Sequence, residues 1–185
     1  MLTTYYYIYP YPNRNSLPNY LRCTEAVFSA LKGVKSTMPG YSGGTSTSPT
    51  YEEVCTGLTG HAEVVRIEFD PEVLRLKRIF DIFFMMHDPT SLNKQGADVG
   101  TQYRSVIFYT TDEQRKSAEE YIAELQRKLS RNIVTEVKPL GHFYPAEGYH
   151  KDYFLKNPEQ GYCSFVIKPK VEKISKYIKS EKNRW

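Results

Sequence analysis

Residues 61–69, His-Ala-Glu-Val-Val-Arg-Ile-Glu-Phe, constrain this chain more than any other stretch. A run rich in Val, Ile and Phe fits a pleated, buried surface, so it reads as a strand. On its N-terminal side stand Gly40-Tyr41-Ser42-Gly43-Gly44 and Thr50-Tyr51-Glu52-Glu53. The Thr-x-x-Glu spacing is a capping box that opens a short helix. On its C-terminal side, Asp70-Pro71 supplies a cap residue and a proline suited to a first helical turn. The strand is therefore framed by helices on both sides. Turn glycines, a tyrosine and a carboxylate beside an apolar strand form the anatomy of a binding or catalytic loop held by a scaffold.

The rest of the chain repeats this alternation. Thr24 to Leu31 places Val27, Phe28 and Leu31 on one helical face, with Gly33 as a stop. A helix from Asp70-Pro71 to about Met86 is apolar through Val73, Leu74, Ile79, Phe80, Phe83 and Phe84. Residues 87–100 read as a loop and 103–109 as a strand. Thr111 and Gln114 form a second capping box, opening a helix to about Leu129. Strands follow at 133–137 and 163–167, with a loop-rich aromatic stretch at 139–162 between them. Few connections are clean parallel crossovers, which sets an α/β two-layer sandwich with a mixed sheet, an α+β arrangement.

At 185 residues the chain suits one domain with a sizeable core. Sixteen tyrosines and 14% aromatic residues are too many for a disordered chain. Nothing is apolar for long enough to span a bilayer, and the start lacks the pattern of a signal peptide. Three cysteines, an odd number, argue against a disulfide scaffold and for a reducing, cytoplasmic setting. Residues 168–185 hold seven Lys or Arg against two Glu, a net of +5, which leaves the remainder at −1. Val171, Ile174 and Ile178 recur there at helical spacing, so this tail reads as a helix with a solvated lysine face and not as a nucleic-acid or membrane contact. Residues 1–22 are a Tyr/Pro-rich arm, extended or irregular, with an edge strand as its regular alternative.

Several segments carry a resemblance to a known family. They are Gly40-Tyr41-Ser42-Gly43-Gly44, Pro49-Thr50-Tyr51-Glu52-Glu53-Val54-Cys55 and Gly60-His61-Ala62-Glu63. His87-Asp88-Pro89-Thr90, Gln95-Gly96-Ala97-Asp98 and Gly100-Thr101-Gln102-Tyr103-Arg104-Ser105 follow. Phe143-Tyr144-Pro145-Ala146-Glu147 and Gly161-Tyr162-Cys163 complete the set. In order and spacing these resemble the type A methionine sulfoxide reductases, from Cys23 to about Lys170. The resemblance implies a ferredoxin-like core, with residues 23–170 as the reductase-like domain between the arm and the basic tail at 171–185.

It also implies a chemistry. A thiolate attacks the sulfur of S-methionine sulfoxide, free or in proteins, and is left as a sulfenic acid. A second thiol condenses with it, and thioredoxin or another dithiol reduces the disulfide, with no bound cofactor and no metal. By resemblance Glu63 is the acid, Tyr51 and Tyr103 donate hydrogen bonds to the sulfoxide oxygen, and Asp98 is a supporting carboxylate. Cys163 matches a resolving position. Read singly, each has a plainer role: a strand residue, packing tyrosines, a turn-shaping aspartate. Cys55 reads as a buried structural thiol.

The family's Gly-Cys-Phe-Trp motif falls on Asn19-Tyr20-Leu21-Arg22, so Tyr20 occupies the nucleophile position. A phenol, with a pKa of about 10, does not replace a thiol. Cys23 is the candidate substitute thiol, near a helix N-terminus but one turn, about 5 Å, away. A frame shift ahead of Cys23 would give the same abrupt end to the resemblance. A third reading is an inactive module that binds methionine sulfoxide. The four histidines show no metal-ligand spacing. His61 and His87 read as loop hydrogen-bonders, His142 and His150 as exposed. Gly40–Gly44 lacks the Lys and Ser/Thr of a phosphate-binding loop.

Overall fold

The computed structural model describes residues 4–8, 20–95, 98–157, 159–161, 164 and 168–182; the side chains of residues 4–8, 20–23, 170 and 179–182 lie outside that description. Helices are α1 (Tyr20–Ser29), α2 (Tyr51–Cys55), α3 (Leu76–Met86), α4 (Asp112–Gln126), α5 (Tyr153–Lys156) and α6 (Lys168–Lys182). Strands are β1 (Thr4–Ile8), β2 (Val34–Ser42), β3 (Ala62–Phe69), β4 (Lys94–Gln95), β5 (Asp98–Val99), β6 (Val106–Tyr109), β7 (Glu136–Pro139) and β8 (Phe143–Pro145). Six strands form one mixed sheet in the order β7-β6-β1-β3-β2-β8, and β4 and β5 form a separate hairpin. The β6–β7 pair is parallel and the other ladders are antiparallel. This is the mixed, helix-layered sheet expected.

Strand alternation decides what each face buries. Val65, Ile67 and Phe69 of β3 join Val27 and Phe28 of α1, Ile79, Phe80 and Phe83 of α3, and Ile174 of α6 in the main core. Ala62 and Val64 point the other way, to Val106, Phe108 and Phe143. Glu63 shares the parity of Val65 and so faces the helix-covered side. A carboxyl there is buried by the same pleat that buries the valines.

Several expectations are corrected. The strand in residues 1–22 is not an edge: β1 lies between β3 and β6, pairing with both. The helix after Asp70 starts at Leu76; Asp70 instead closes a turn, accepting from Glu72 N and Leu74 N. Pro71 is thus spent on the turn and not on a helix start. Residues 34–42 are a strand, although Gly40 read as a turn glycine. β8 pairs only with residues 40–42, so Pro39 stands where that ladder ends and its carbonyl accepts from Ala146 N. Gly40 is required by proximity: a Cβ there would meet the Phe143 ring and the Tyr144 carbonyl. Residues 143–145, read as loop, are β8.

The strand read at 133–137 lies at 136–139, and that read at 103–109 begins at Val106 after a 3₁₀ turn, Thr101–Tyr103. The Thr50 box is complete, whereas Gln114 turns its side chain to Thr110 N and not to the cap residue Thr111. Of the strand expected at 163–167 only Ser164 is described, and it is helical, its N–H donating to Gln160 O at 2.9 Å; the other four residues lie outside the description.

Candidate active site

Glu63 is the centre of the site. It is 3% exposed. Burial first, and then the nearby Asp98 carboxylate, push its pKa up to about 8. The carboxyl is therefore protonated near neutrality, which is the state a proton donor needs. Tyr51 and Tyr103 are half-buried beside it. Burial raises both phenols, and the Glu63 charge raises them further. Asp98 is also raised by burial.

Each side chain is positioned by a different piece of the fold. Glu63 comes from β3. Tyr51 is the first residue of α2, directly after the capping-box residue Thr50, whose Oγ1 accepts from Glu53 N at 3.3 Å while Glu53 Oε2 accepts from Thr50 N at 2.8 Å. Asp98 opens β5 opposite Gln95. Tyr103 ends the 3₁₀ turn. That turn is tied to α2 by Gln102 Nε2 donating to Cys55 O at 3.0 Å and by Thr101 Oγ1 donating to Gly57 O at 3.1 Å. The two tyrosine-bearing elements are thus fixed to each other.

The structure brings Glu63, Tyr51, Tyr103 and Asp98 together, as the sequence reading grouped them. Tyr20 and Cys23 are the first and fourth residues of α1, in its first turns; their side chains lie outside the description. Cys163 lies outside the described residues. Two minor readings are corrected. Cys55 is half-buried and hydrogen-bonded with the Tyr51 hydroxyl, so it borders the site and is not a core thiol. Burial raises its pKa, and the Tyr51 bond opposes that rise. His150 is fully buried and not exposed, its ring 5.4 Å from that of Tyr51.

His61 and His87 do make the hydrogen bonds expected. His61 Nδ1 accepts from Gly44 N at 3.1 Å and Nε2 donates to Ser46 O at 2.8 Å, shaping the loop before Thr50. His87 Nδ1 donates to Phe83 O, and burial lowers its pKa to about 4. Among the described residues no three His, Cys, Asp or Glu side chains gather as a metal site, and no helix is long and apolar enough to cross a membrane.

Sequence reasoning missed the surroundings of three further residues. Glu25 of α1 is 2% exposed, accepts from Asp152 N at 2.9 Å, and is raised by burial to about 7. Glu147 and His150 were the others. Glu147 lay in a quoted motif, yet nothing in a linear sequence shows that its carboxylate meets residues about a hundred positions earlier.

A buried carboxyl with a raised pKa, two half-buried phenols and a second carboxyl share this part of the sheet, an arrangement that can hold a proton close to hydroxyl donors. Comparison with known proteins is specific. The model of the family "Peptide methionine sulfoxide reductase" matches residues 21–183, and the chain belongs to that family. It is 55% identical over 154 residues to peptide methionine sulfoxide reductase MsrA of Saccharolobus solfataricus, covering 83% of this chain and 87% of that one. It is 54% identical over 162 residues to the MsrA of Nautilia profundicola, covering 88% and 92%. Among solved structures it resembles methionine sulfoxide reductase A of Corynebacterium diphtheriae, with a TM-score of 0.76, 34% identity, and coverage of 84% and 76%. It is equally similar to reduced Mxr1 of Saccharomyces cerevisiae, with a TM-score of 0.76, 32% identity, and coverage of 87% and 89%.

Proposed function

We propose that this chain reduces the S-epimer of methionine sulfoxide, in proteins and as the free amino acid, with Glu63 as the acid. The observation that carries this reading is a 3%-exposed Glu63 held protonated to about pH 8 among Tyr51, Tyr103 and Asp98. Tyr51 and Tyr103 donate hydrogen bonds to the sulfoxide oxygen. Those bonds strengthen as charge grows on it in a water-poor site. Asp98 supports Glu63 by disfavouring its ionised form.

The thiol is Cys23, taking the part that Tyr20 cannot. The Cys23 thiolate attacks the sulfoxide sulfur, forming an S–S bond while the S–O bond breaks and Glu63 gives the departing oxygen a proton; the hydroxide so released attacks the Cys23 sulfur, the S–S bond breaks with its electron pair going to the sulfide, and a sulfenic acid is left on Cys23. Cys163 condenses with that sulfenic acid, releasing water and forming a disulfide. Thioredoxin or a similar dithiol reduces it in a reducing, cytoplasmic setting, and no bound cofactor is used. A solved structure holds the yeast relative Mxr1 in complex with Trx2, which supports this class of reductant.

The test is turnover of a peptide S-methionine sulfoxide with dithiothreitol. The chain is compared with its Cys23→Ser variant and with one carrying Asn19→Gly, Tyr20→Cys, Leu21→Phe and Arg22→Trp. Turnover that disappears in Cys23→Ser supports the proposal, and unchanged turnover excludes Cys23. The alternative reading is an inactive methionine-sulfoxide-binding module, favoured by Tyr20. Silence in the unaltered chain with turnover in the fourfold variant would show an intact reductase scaffold lacking only its nucleophile, and saturable binding of the same peptide by the silent chain would then establish the alternative.

A further inference from the structure

Glu147 is absent from the chemistry above, yet it contacts the site through several groups. Its Oε1 accepts the Tyr51 backbone N–H at 2.9 Å, and its Oε2 accepts the Tyr41 hydroxyl at 2.9 Å. His150 Nε2 lies 3.7 Å from the same Oε2, and the His150 ring flanks the Tyr51 ring. Tyr41 has no exposed surface and stands opposite Glu63 in the β2–β3 register. One carboxylate therefore joins the element that carries Tyr51 to the sheet that carries Glu63.

The physical need is clear. α2 is five residues long, and a helix that short has no stability of its own. Its capping box fixes its internal shape but not its place on the sheet. The chain leading into Glu147 is anchored there by β8 and by Ala146 N donating to Pro39 O at 2.9 Å. Hydrogen bonds from N–H to a carboxylate are shorter and roughly twice as strong as neutral ones. Although burial pushes Glu147 upward, hydrogen bonds from Tyr51 N–H and the Tyr41 hydroxyl hold it below its ordinary value, so it is ionised wherever it clamps.

We infer that Glu147 is a positioning residue: it clamps the backbone of Tyr51 to the buried Tyr41 of β2 and so fixes where the Tyr51 hydroxyl stands relative to the Glu63 carboxyl. The role rests on the reading of Tyr51 as a ligand of the sulfoxide oxygen. It predicts that Glu147 acts on the reaction only through Tyr51.

The experiment has two independent readouts. The first is the Tyr51 amide proton followed by NMR against pH in the full chain. It must titrate with a midpoint below the ordinary glutamate value of 4.5, and Glu147→Gln must abolish that titration. An amide that does not titrate, or one that still titrates in Glu147→Gln, overturns the clamp.

The second readout is turnover by Glu147→Ala and Glu147→Gln, each with and without Tyr51→Phe, in the full chain and in the fourfold 19–22 variant. Glu147→Ala must lower kcat about tenfold while moving KM less than about threefold, as misplacement of one transition-state donor does. Glu147→Gln keeps one acceptor and the side-chain volume, so it must show a smaller loss of the same kind even if the alanine variant fails to fold. In the Tyr51→Phe background neither substitution lowers kcat further. Equal losses in both backgrounds mean a general structural role and overturn the inference. So does a change confined to KM. Absence of turnover in every chain, with the amide titration intact, overturns the reductase reading and the catalytic role of Glu147 with it, but not the contact itself.

Discussion

At the scale of single residues, protonation decides the behaviour of the site. Glu63 binds its proton up to about pH 8 in the folded chain and up to 4.5 ordinarily. Between those values the native state holds a proton that the unfolded state lacks. Stability from this group is thus complete below 4.5 and declines as pH rises through the window. Glu25 acts with the same sign but finishes near 7. His87 acts with the opposite sign, and only between about 4 and 6.5. The interval from pH 7 to 8 therefore belongs to Glu63. Glu63→Gln is expected to flatten the fall in melting temperature there, measured by circular dichroism at matched ionic strength. The same substitution removes the acid, so turnover should fall about 10²- to 10³-fold, and the loss of wild-type kcat above about pH 8 should disappear. A retained alkaline limb in Glu63→Gln would assign that limb to another group. As candidates, Glu63, Tyr51, Tyr103 and Asp98 were legible because each sits in a motif of fixed order. Glu25 was not: its partner Asp152 is distant in sequence, and a glutamate on an amphipathic helix ordinarily faces water.

At the scale of elements, the short helix α2 is the sensitive part. Thr50 Oγ1 and the Glu53 carboxylate satisfy each other's backbone N–H groups and set its first turn. Thr50→Ala is expected to cost about 1 kcal/mol of stability by denaturant unfolding, the usual value of an exposed N-cap. Because Tyr51 follows the cap, its kcat should drop more than its stability loss alone would suggest. The loop before this helix depends on Gly44, where a Cβ would meet His61 N and the Thr59 carbonyl. Gly44→Ala should therefore shift the loop and break the 3.1 Å bond from Gly44 N to His61 Nδ1, visible as a changed His61 ring resonance. Both caps and the long apolar runs were readable in the sequence, since they rest on local contacts. β2 and β8 were not, because it is their pairing with distant segments that makes Gly40 a strand residue and draws residues 143–145 out of a loop. The same reason places α3 five residues late: Asp70 finds its donors in a turn first.

At the scale of the whole molecule, the sheet is built around β1. Its residues Thr4–Ile8 pair with Phe69–Val65 of β3, and Tyr7 and Ile8 also pair with Phe108 and Ile107 of β6. Removing residues 1–8 would leave two interior strands with unpaired backbone groups facing each other across a missing strand. The truncated chain is expected to lose its cooperative thermal transition, and an unchanged transition would show that β3 and β6 can pair directly. Five closely spaced tyrosines and flanking prolines gave no hint of a central strand, because alternation alone does not say which neighbours a strand will find. The position of β1 also has a consequence for synthesis. β1 lies inside the finished sheet, and it cannot be enclosed on both sides until residues 62–69 and then 106–109 have followed it out of the ribosome. Until residues 106–109 emerge, β1 can be paired along its β3 side alone, so the nascent chain carries a bare strand edge of the kind that draws chaperones.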